Sequence, residues 1–144
     1  MRTTGKAIRV ALLLGLCGGP AWAEESFDAA TRSAIQGVIT KQLRAFDRDD
    51  GAAAEAFAAK GIRDKFPDAS AFMAMVHKSY GALIHPKSTA FGSVDPSPHG
   101  PLQSMTIVAA DGTVWTAIYS FEQADGAWRI TGCGLERTKG QIDI

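Results

Sequence analysis

Three β-rich runs joined by two short Asp-Gly turns are the feature that most constrains how this sequence can fold. The runs cover Gln103 to Ala109, Thr113 to Glu122 and Ala127 to Leu135, and the turns contain Asp111-Gly112 and Asp125-Gly126. Asp-Gly between two β-rich runs is a strong hairpin signal, because glycine adopts a positive φ without steric conflict. The pattern therefore predicts three consecutive antiparallel strands in the second half of the chain.

The first half of the sequence predicts helices. Apolar residues recur at three- and four-residue steps up to about Arg48, after a helix cap at Ser26 or Asp28. A second, alanine-rich helix is expected over Ala52 to Ala59, because Asp50 is placed to accept hydrogen bonds from the N–H groups of its first turn. Two helices therefore precede the sheet, and the next segment adds a third.

The middle of the chain completes the order of elements. A third helix is expected from about Ala71 to Ile84, and the following His85-Pro86 ends it. Ser88 to Val94 predicts a weak edge strand, and the proline-rich segment from Asp95 to Pro101 predicts a loop. Helices followed by strands are typical of an α+β domain. The predicted fold is three N-terminal helices packed on a mainly antiparallel four-stranded sheet.

Alternation within the strands assigns side chains to the two faces of the sheet. In the middle strand, the aromatic residues Tyr119 and Phe121 are expected to face the helices. In the last strand, strict alternation places Ile130 on one face and Cys133 with Leu135 on the other. Gly132-x-Gly134 within this strand indicates a bend or bulge. Cysteine is among the most buried residue types, so Cys133 is interpreted as a packing residue rather than a reactive thiol.

Residues 1–23 have the organisation of a secretory signal peptide. A basic segment precedes the apolar run from Val10 to Cys17, and Ala21-Trp22-Ala23 fits the cleavage rule. The apolar run is shorter than the roughly 20 residues that span a bilayer. We expect a periplasmic or secreted protein that is cleaved between Ala23 and Glu24 and has no transmembrane segment afterwards. Residues 24–144 then form one domain with a loose tail at residues 136–144.

The charge balance excludes one class of partner. The sequence has 15 Lys and Arg and 15 Asp and Glu, and removal of residues 1–23 leaves 12 basic against 15 acidic side chains. This balance gives no basic surface for nucleic acid. Cleavage also leaves Cys133 as the single cysteine, so no internal disulfide is expected.

The sequence lacks the local motifs of several enzyme classes. It has no Gly-x-Ser-x-Gly segment and no phosphate-binding glycine loop. Its three histidines, His77, His85 and His99, do not have the spacing of metal ligands. We therefore expect no metal and no cofactor.

Five residues are candidates for lining a ligand pocket between the helices and the sheet. Gln42 is a polar residue within an apolar helical stripe, and His77 and Tyr80 lie three residues apart on the third helix. Trp115 and Tyr119 come from the aromatic face of the middle strand. Each has a structural alternative: an amide bonded to backbone, a boundary histidine, or ordinary aromatic core.

The layout resembles the cone-shaped superfamily of nuclear transport factor two, ketosteroid isomerase and scytalone dehydratase over about residues 28–135. The segments that carry this resemblance are Ala45 to Asp50, Ala56-Phe57-Ala58 and Asp125 to Ile130. The chain is also similar to an uncharacterised bacterial family, a domain of unknown function, in Met75-Val76, Tyr80, Pro86, Gln103, Ala117-x-Tyr119 and Trp128 to Cys133. The superfamily resemblance implies a curved sheet closed by helices, a pocket between them and frequent dimerisation through the outer sheet face.

Three functions are compatible with these features. The leading hypothesis is a non-enzymatic module that binds a small apolar ligand or a protein partner, because the aromatic sheet face lacks an evident acid–base set. The alternative is an isomerase- or dehydratase-like enzyme that uses a histidine or aspartate with a tyrosine. The third is a homodimeric structural domain assembled through the sheet face. Fold alone does not choose among them.

Overall fold

The computed structural model describes residues 27–139, so the predicted signal peptide and the last five residues of the predicted tail lie outside the described residues. The α+β prediction is confirmed: helices pack against a four-stranded antiparallel sheet of order β1-β2-β3-β4. The elements are α1 (Ala29–Asp47), α2 (Gly51–Ala56), α3 (Lys60–Arg63), α4 (Ala69–Ser79), a 3-10 helix (Gly81–Leu83), β1 (Ser88–Ser97), β2 (Gly100–Val108), β3 (Val114–Ala124) and β4 (Ala127–Arg137).

Aspartate caps begin three of the helices. The side chain of Asp28 accepts a hydrogen bond from the Thr31 N–H at the start of α1. Asp50 caps α2 as predicted, and Asp68 caps α4 in the same way. Each carboxylate binds an N–H group that has no partner within its helix and also favours the positive end of the helix dipole.

The helical region is more divided than the sequence predicted. The predicted second helix ends at Ala56, and the separate short helix α3 follows it. The third predicted helix ends at Ser79 rather than Ile84, because Tyr80 leaves the helical conformation at φ −128°. A 3-10 turn then carries the chain to the sheet.

The predicted proline loop between Asp95 and Pro101 is wrong. β1 continues through Asp95 and Pro96 to Ser97, and Pro96 lies opposite Pro101 in the register with β2. Both prolines are near the turn of this hairpin, and β1 is an edge strand. The outer side of an edge strand has no neighbouring strand to bond with, and proline is tolerated in edge strands for this reason.

A β-bulge in β4 overturns the predicted alternation of the last strand. Phe121 pairs with Ile130 and Ser120 pairs with Gly132, so Thr131 is the extra residue. Beyond the bulge, Cys133 lies opposite Tyr119 on the helix-facing side, the same side as Ile130. The strand also extends to Arg137, so the first two residues of the predicted tail belong to the sheet.

The core lies between the apolar face of α1 and α4 and the inner face of the sheet. Tyr119 and Phe121 face the helices as predicted, whereas Ile118 on the outer face is 41% exposed.

The segment between α2 and α3 also pairs with β4. The Ile130 N–H donates to the Phe57 carbonyl at 2.9 Å, and the Ile130 carbonyl accepts from the Ala59 N–H at 2.8 Å. This contact closes one side of the core.

Candidate functional site

A cavity of about 340 Å³ lies between the helices and the inner face of β3 and β4. Its walls are mostly apolar and aromatic, and they come from α1, α3, α4, the 3-10 helix and the sheet. The volume is within the range of roughly 300–1,000 Å³ that is usual for small-molecule sites. Three of the five candidate residues lie in its wall: Gln42, Tyr80 and Tyr119.

Tyr119 is the most deeply buried polar side chain of the cavity wall. Its side chain has no exposed surface, and its hydroxyl makes no hydrogen bond to any of the residues 27–139. Burial, followed by the neighbouring Cys133 thiol, raises the pKa of Tyr119 well above its usual range. A buried hydroxyl without a partner is unfavourable by about 1–3 kcal/mol. Such a group is uncommon in native proteins.

Cys133 lines the cavity directly across the strand pair from Tyr119. It is a free, partly buried cysteine. Burial raises the pKa of its thiol to about 12. The thiol therefore stays protonated and neutral at physiological pH, which is consistent with its interpretation as a packing residue rather than a nucleophile.

Tyr80 ties the end of α4 to the same part of the sheet. Its hydroxyl donates to the Cys133 carbonyl at 3.0 Å, and burial raises the pKa of this tyrosine. Gln42 is buried in α1, and its Nε2 atom donates to the Ala54 carbonyl at 3.1 Å. Both side chains are thus partly satisfied by backbone, and they hold the cavity wall in place.

The other two candidates, His77 and Trp115, lie in a separate, more polar groove. His77 forms a pair with Asp49, and the Trp115 Nε1 atom donates to the Thr113 hydroxyl at 2.8 Å. The structure therefore places Tyr80 in the cavity wall and His77 in the groove. Tyr80 has left the helical conformation, so its side chain does not continue the face on which His77 lies.

The profile of a domain of unknown function, DUF4864, matches residues 28–142. The chain belongs to the DUF4864 family. No curated protein matches its sequence.

Two solved structures show the fold of this DUF4864 chain. One is an NTF-2-like protein of unknown function from Silicibacter pomeroyi, with 18% identity and a TM-score of 0.53 over 76% of this chain and 97% of that chain. The other is Aln2 from a Streptomyces species, with 14% identity and a TM-score of 0.52 over 78% of this chain and 94% of that chain. At these identities, the likeness concerns the fold alone.

The wall of the DUF4864 cavity offers few kinds of reactive group. Within residues 27–139, no aspartate, glutamate or histidine lines it, and no group of three His, Cys, Asp or Glu side chains is arranged to hold a metal ion. In the same part of the chain, no helix is both long enough and apolar enough to cross a membrane. The cavity offers apolar contact and a few neutral polar groups, and it offers no acid–base pair.

Among the residues of the DUF4864 cavity wall that sequence reasoning did not propose are Cys133 and Lys65. Strict alternation placed Cys133 on the outer face, and only the bulge at Thr131 returns it to the cavity. The glycine at position 132 was a signal for such a bulge, because glycine within a strand often marks one. Lys65 lies in the irregular segment after α3, where no periodic pattern assigns a face.

Proposed function

We propose that this protein is a periplasmic or secreted, non-enzymatic module that binds a small apolar molecule in the cavity between its helices and sheet. One observation carries the proposal: a largely apolar cavity of about 340 Å³ between the helices and the sheet, with no aspartate, glutamate or histidine among the described residues of its wall. Apolar walls supply most of the binding free energy of a small ligand, and a few polar groups orient it.

The residues around the cavity favour binding over acid–base catalysis. An isomerase- or dehydratase-type reaction needs a group that exchanges a proton near neutral pH. Tyr119 and Cys133 both have raised pKa values, and His77 lies in the other groove. The cavity wall therefore favours a module that holds its ligand unchanged.

The test is a titration with the neutral fluorescent probe N-phenyl-1-naphthylamine. The purified protein is expected to increase the fluorescence of the probe with a saturable dependence. The variant Ile62→Trp fills the cavity from its half-exposed edge and should weaken binding by about tenfold. Ile118→Trp is the matched control on the outer sheet face. Equal binding by the two variants, or no saturable binding by the unmodified protein, would contradict the proposal.

A further inference from the structure

The inner part of the cavity carries no charge. Tyr119 and Cys133 keep their protons because burial raises the pKa of both groups. Gln42 is neutral, and its amide N–H already binds the Ala54 carbonyl. A carboxylate moved into this region would lose its hydration and gain no positive partner, which is strongly unfavourable. The inner end therefore accepts an apolar or neutral group and excludes an anion.

The open side of the cavity is identified by the exposure of its wall. Phe72 and Val76 are buried, whereas Ile62 and Met75 are half-exposed and Lys65 is exposed. The mouth therefore has α3 and the segment that follows it on one side, and the Met75 side of α4 on the other. The long aliphatic stem of a lysine in this position packs along apolar surface while its ammonium group stays in water.

Lys65 is the single charged residue in the cavity wall within residues 27–139. No carboxylate in that part of the chain lies within 4.0 Å of its Nζ atom, because the neighbouring Asp64 pairs with Lys60 instead. The cavity wall thus has one cationic side chain and, among the described residues, no carboxylate. An apolar cavity with a cation at its entrance is complementary to an amphipathic anion.

We propose that the molecule bound here is an apolar monocarboxylate, such as a fatty acid, whose carboxylate lies at the mouth against Lys65 while its apolar part fills the cavity. This inference rests on the proposed function, and it adds the chemical class and the orientation of the ligand. The Lys65 ammonium is exposed, so its attraction for a carboxylate is modest and screened by salt. The apolar contacts supply affinity, and Lys65 supplies discrimination between an acid and a neutral molecule of the same length.

The test compares decanoic acid with 1-decanol as competitors of N-phenyl-1-naphthylamine at neutral pH and low ionic strength. Both compounds should displace the probe from the unmodified protein. Lys65→Gln should weaken the binding of decanoate by about two- to fivefold and leave that of decanol unchanged. The matched control is Lys41→Gln, which removes an exposed lysine of α1 that does not line the cavity. It should leave both affinities unchanged.

The outcomes separate the two proposals. If both compounds displace the probe but Lys65→Gln leaves decanoate binding intact, or weakens the two compounds equally, the carboxylate assignment is overturned and apolar binding stands. If the probe binds but decanoate does not displace it, the carboxylate assignment is overturned and apolar binding stands. If the probe does not bind, both proposals are overturned. Loss of the effect of Lys65→Gln at high salt would further support a direct charge interaction.

Discussion

The Nε2 atom of His77 lies 2.9 Å from the Oδ1 atom of Asp49, although the two residues are 28 positions apart in the sequence. Asp49 has a left-handed backbone, with φ at 53°, in the turn between α1 and α2. The pair therefore joins α4 to this turn, on the outside of the helical layer. His77 has no acidic sequence neighbour, and its carboxylate partner comes from this turn instead.

The His77–Asp49 pair should contribute little to stability. The side chains are 53% and 71% exposed, and exposed pairs of this kind typically contribute about 0.2–1 kcal/mol because water screens them. A double-mutant cycle of His77→Ala and Asp49→Ala, measured by urea unfolding at neutral pH, is expected to give a coupling free energy below about 1 kcal/mol. A substantially larger coupling would mean that the pair is much less hydrated than its exposure indicates.

Gln103 should be far more important to the fold than its residue type suggests. It is fully buried in β2, and its Nε2 atom donates to the Gly92 and Ser104 carbonyls at 3.1 and 2.7 Å. Its Oε1 atom accepts from Gln36 of α1 at 3.1 Å. Gln103→Ala removes these hydrogen bonds and opens a cavity at a fully buried position, so we expect a loss of about 2–4 kcal/mol in unfolding free energy.

The matched control for Gln103→Ala is Gln123→Ala, which changes an exposed glutamine of β3 and should alter the unfolding free energy by less than about 0.5 kcal/mol. Equal effects of the two variants in urea unfolding would contradict the role of Gln103 in holding the irregular part of β1, between Phe91 and Val94, against β2 and α1.

Two glycines in helices should respond to alanine in opposite directions. A Cβ atom at Gly51 would be 2.8 Å from the Met73 Cγ atom and 2.9 Å from the Ala69 backbone oxygen, so Gly51→Ala should destabilise the protein by about 1–3 kcal/mol. A Cβ atom at Gly37 has no neighbour within 4 Å. Gly37→Ala should stabilise the protein by about 0.5–1 kcal/mol, because alanine is the better helix former. Thermal unfolding of the two variants decides whether α2 and α4 approach as closely as described.

Cys133 should react slowly with alkylating agents while the protein is folded. Burial raises the pKa of its thiol from 9.0 to about 12, which lowers the thiolate fraction at pH 8 by about a thousandfold relative to the unfolded chain. The measurement is the rate of iodoacetamide modification at pH 8, with and without denaturing urea. Similar rates in the two conditions would show that the thiol is not desolvated by the cavity wall.

The raised pKa of the Cys133 thiol should make the folded protein less stable as the pH becomes alkaline. The folded protein keeps the Cys133 proton to higher pH than the unfolded chain does, so its contribution to stability is complete below pH 9 and is lost as the pH rises toward about 12. The urea midpoint should therefore fall over this window, and it should fall less steeply in Cys133→Ala. Identical slopes for the two proteins would assign the alkaline loss to other groups, such as Tyr119, whose pKa is also raised.

The parts of the fold that sequence reasoning predicted correctly depend on local chemistry. The turns at Asp111-Gly112 and Asp125-Gly126 form hairpins, and both glycines have positive φ values, 85° and 75°. Asp50 caps α2 because its carboxylate needs only an N–H group three residues ahead. The position of Tyr119 on the helix-facing side also follows from simple alternation, because β3 keeps its register with β2.

The features that sequence reasoning did not predict depend on how segments distant in the sequence pack together. The bulge at Thr131 changes the face of every later residue in β4. Gly132 indicates a bend or bulge, but the sequence alone does not say which residue is the extra one. The His77–Asp49 pair depends on how α4 packs beside the turn after α1. For the same reason, the sequence grouped five candidate residues in one pocket, whereas the structure divides them between a cavity and a separate groove.

The backbone contact of Ile130 with Phe57 and Ala59 has a consequence for self-association. β4 is an edge strand, and an uncovered strand edge is a template for pairing with other chains. The segment between α2 and α3 covers this edge at Ile130, and it also forms part of the cavity wall through Ala58. Detachment of that segment would expose apolar wall and unpaired backbone at the same time. A ligand that holds the cavity closed would therefore also protect the protein from aggregation.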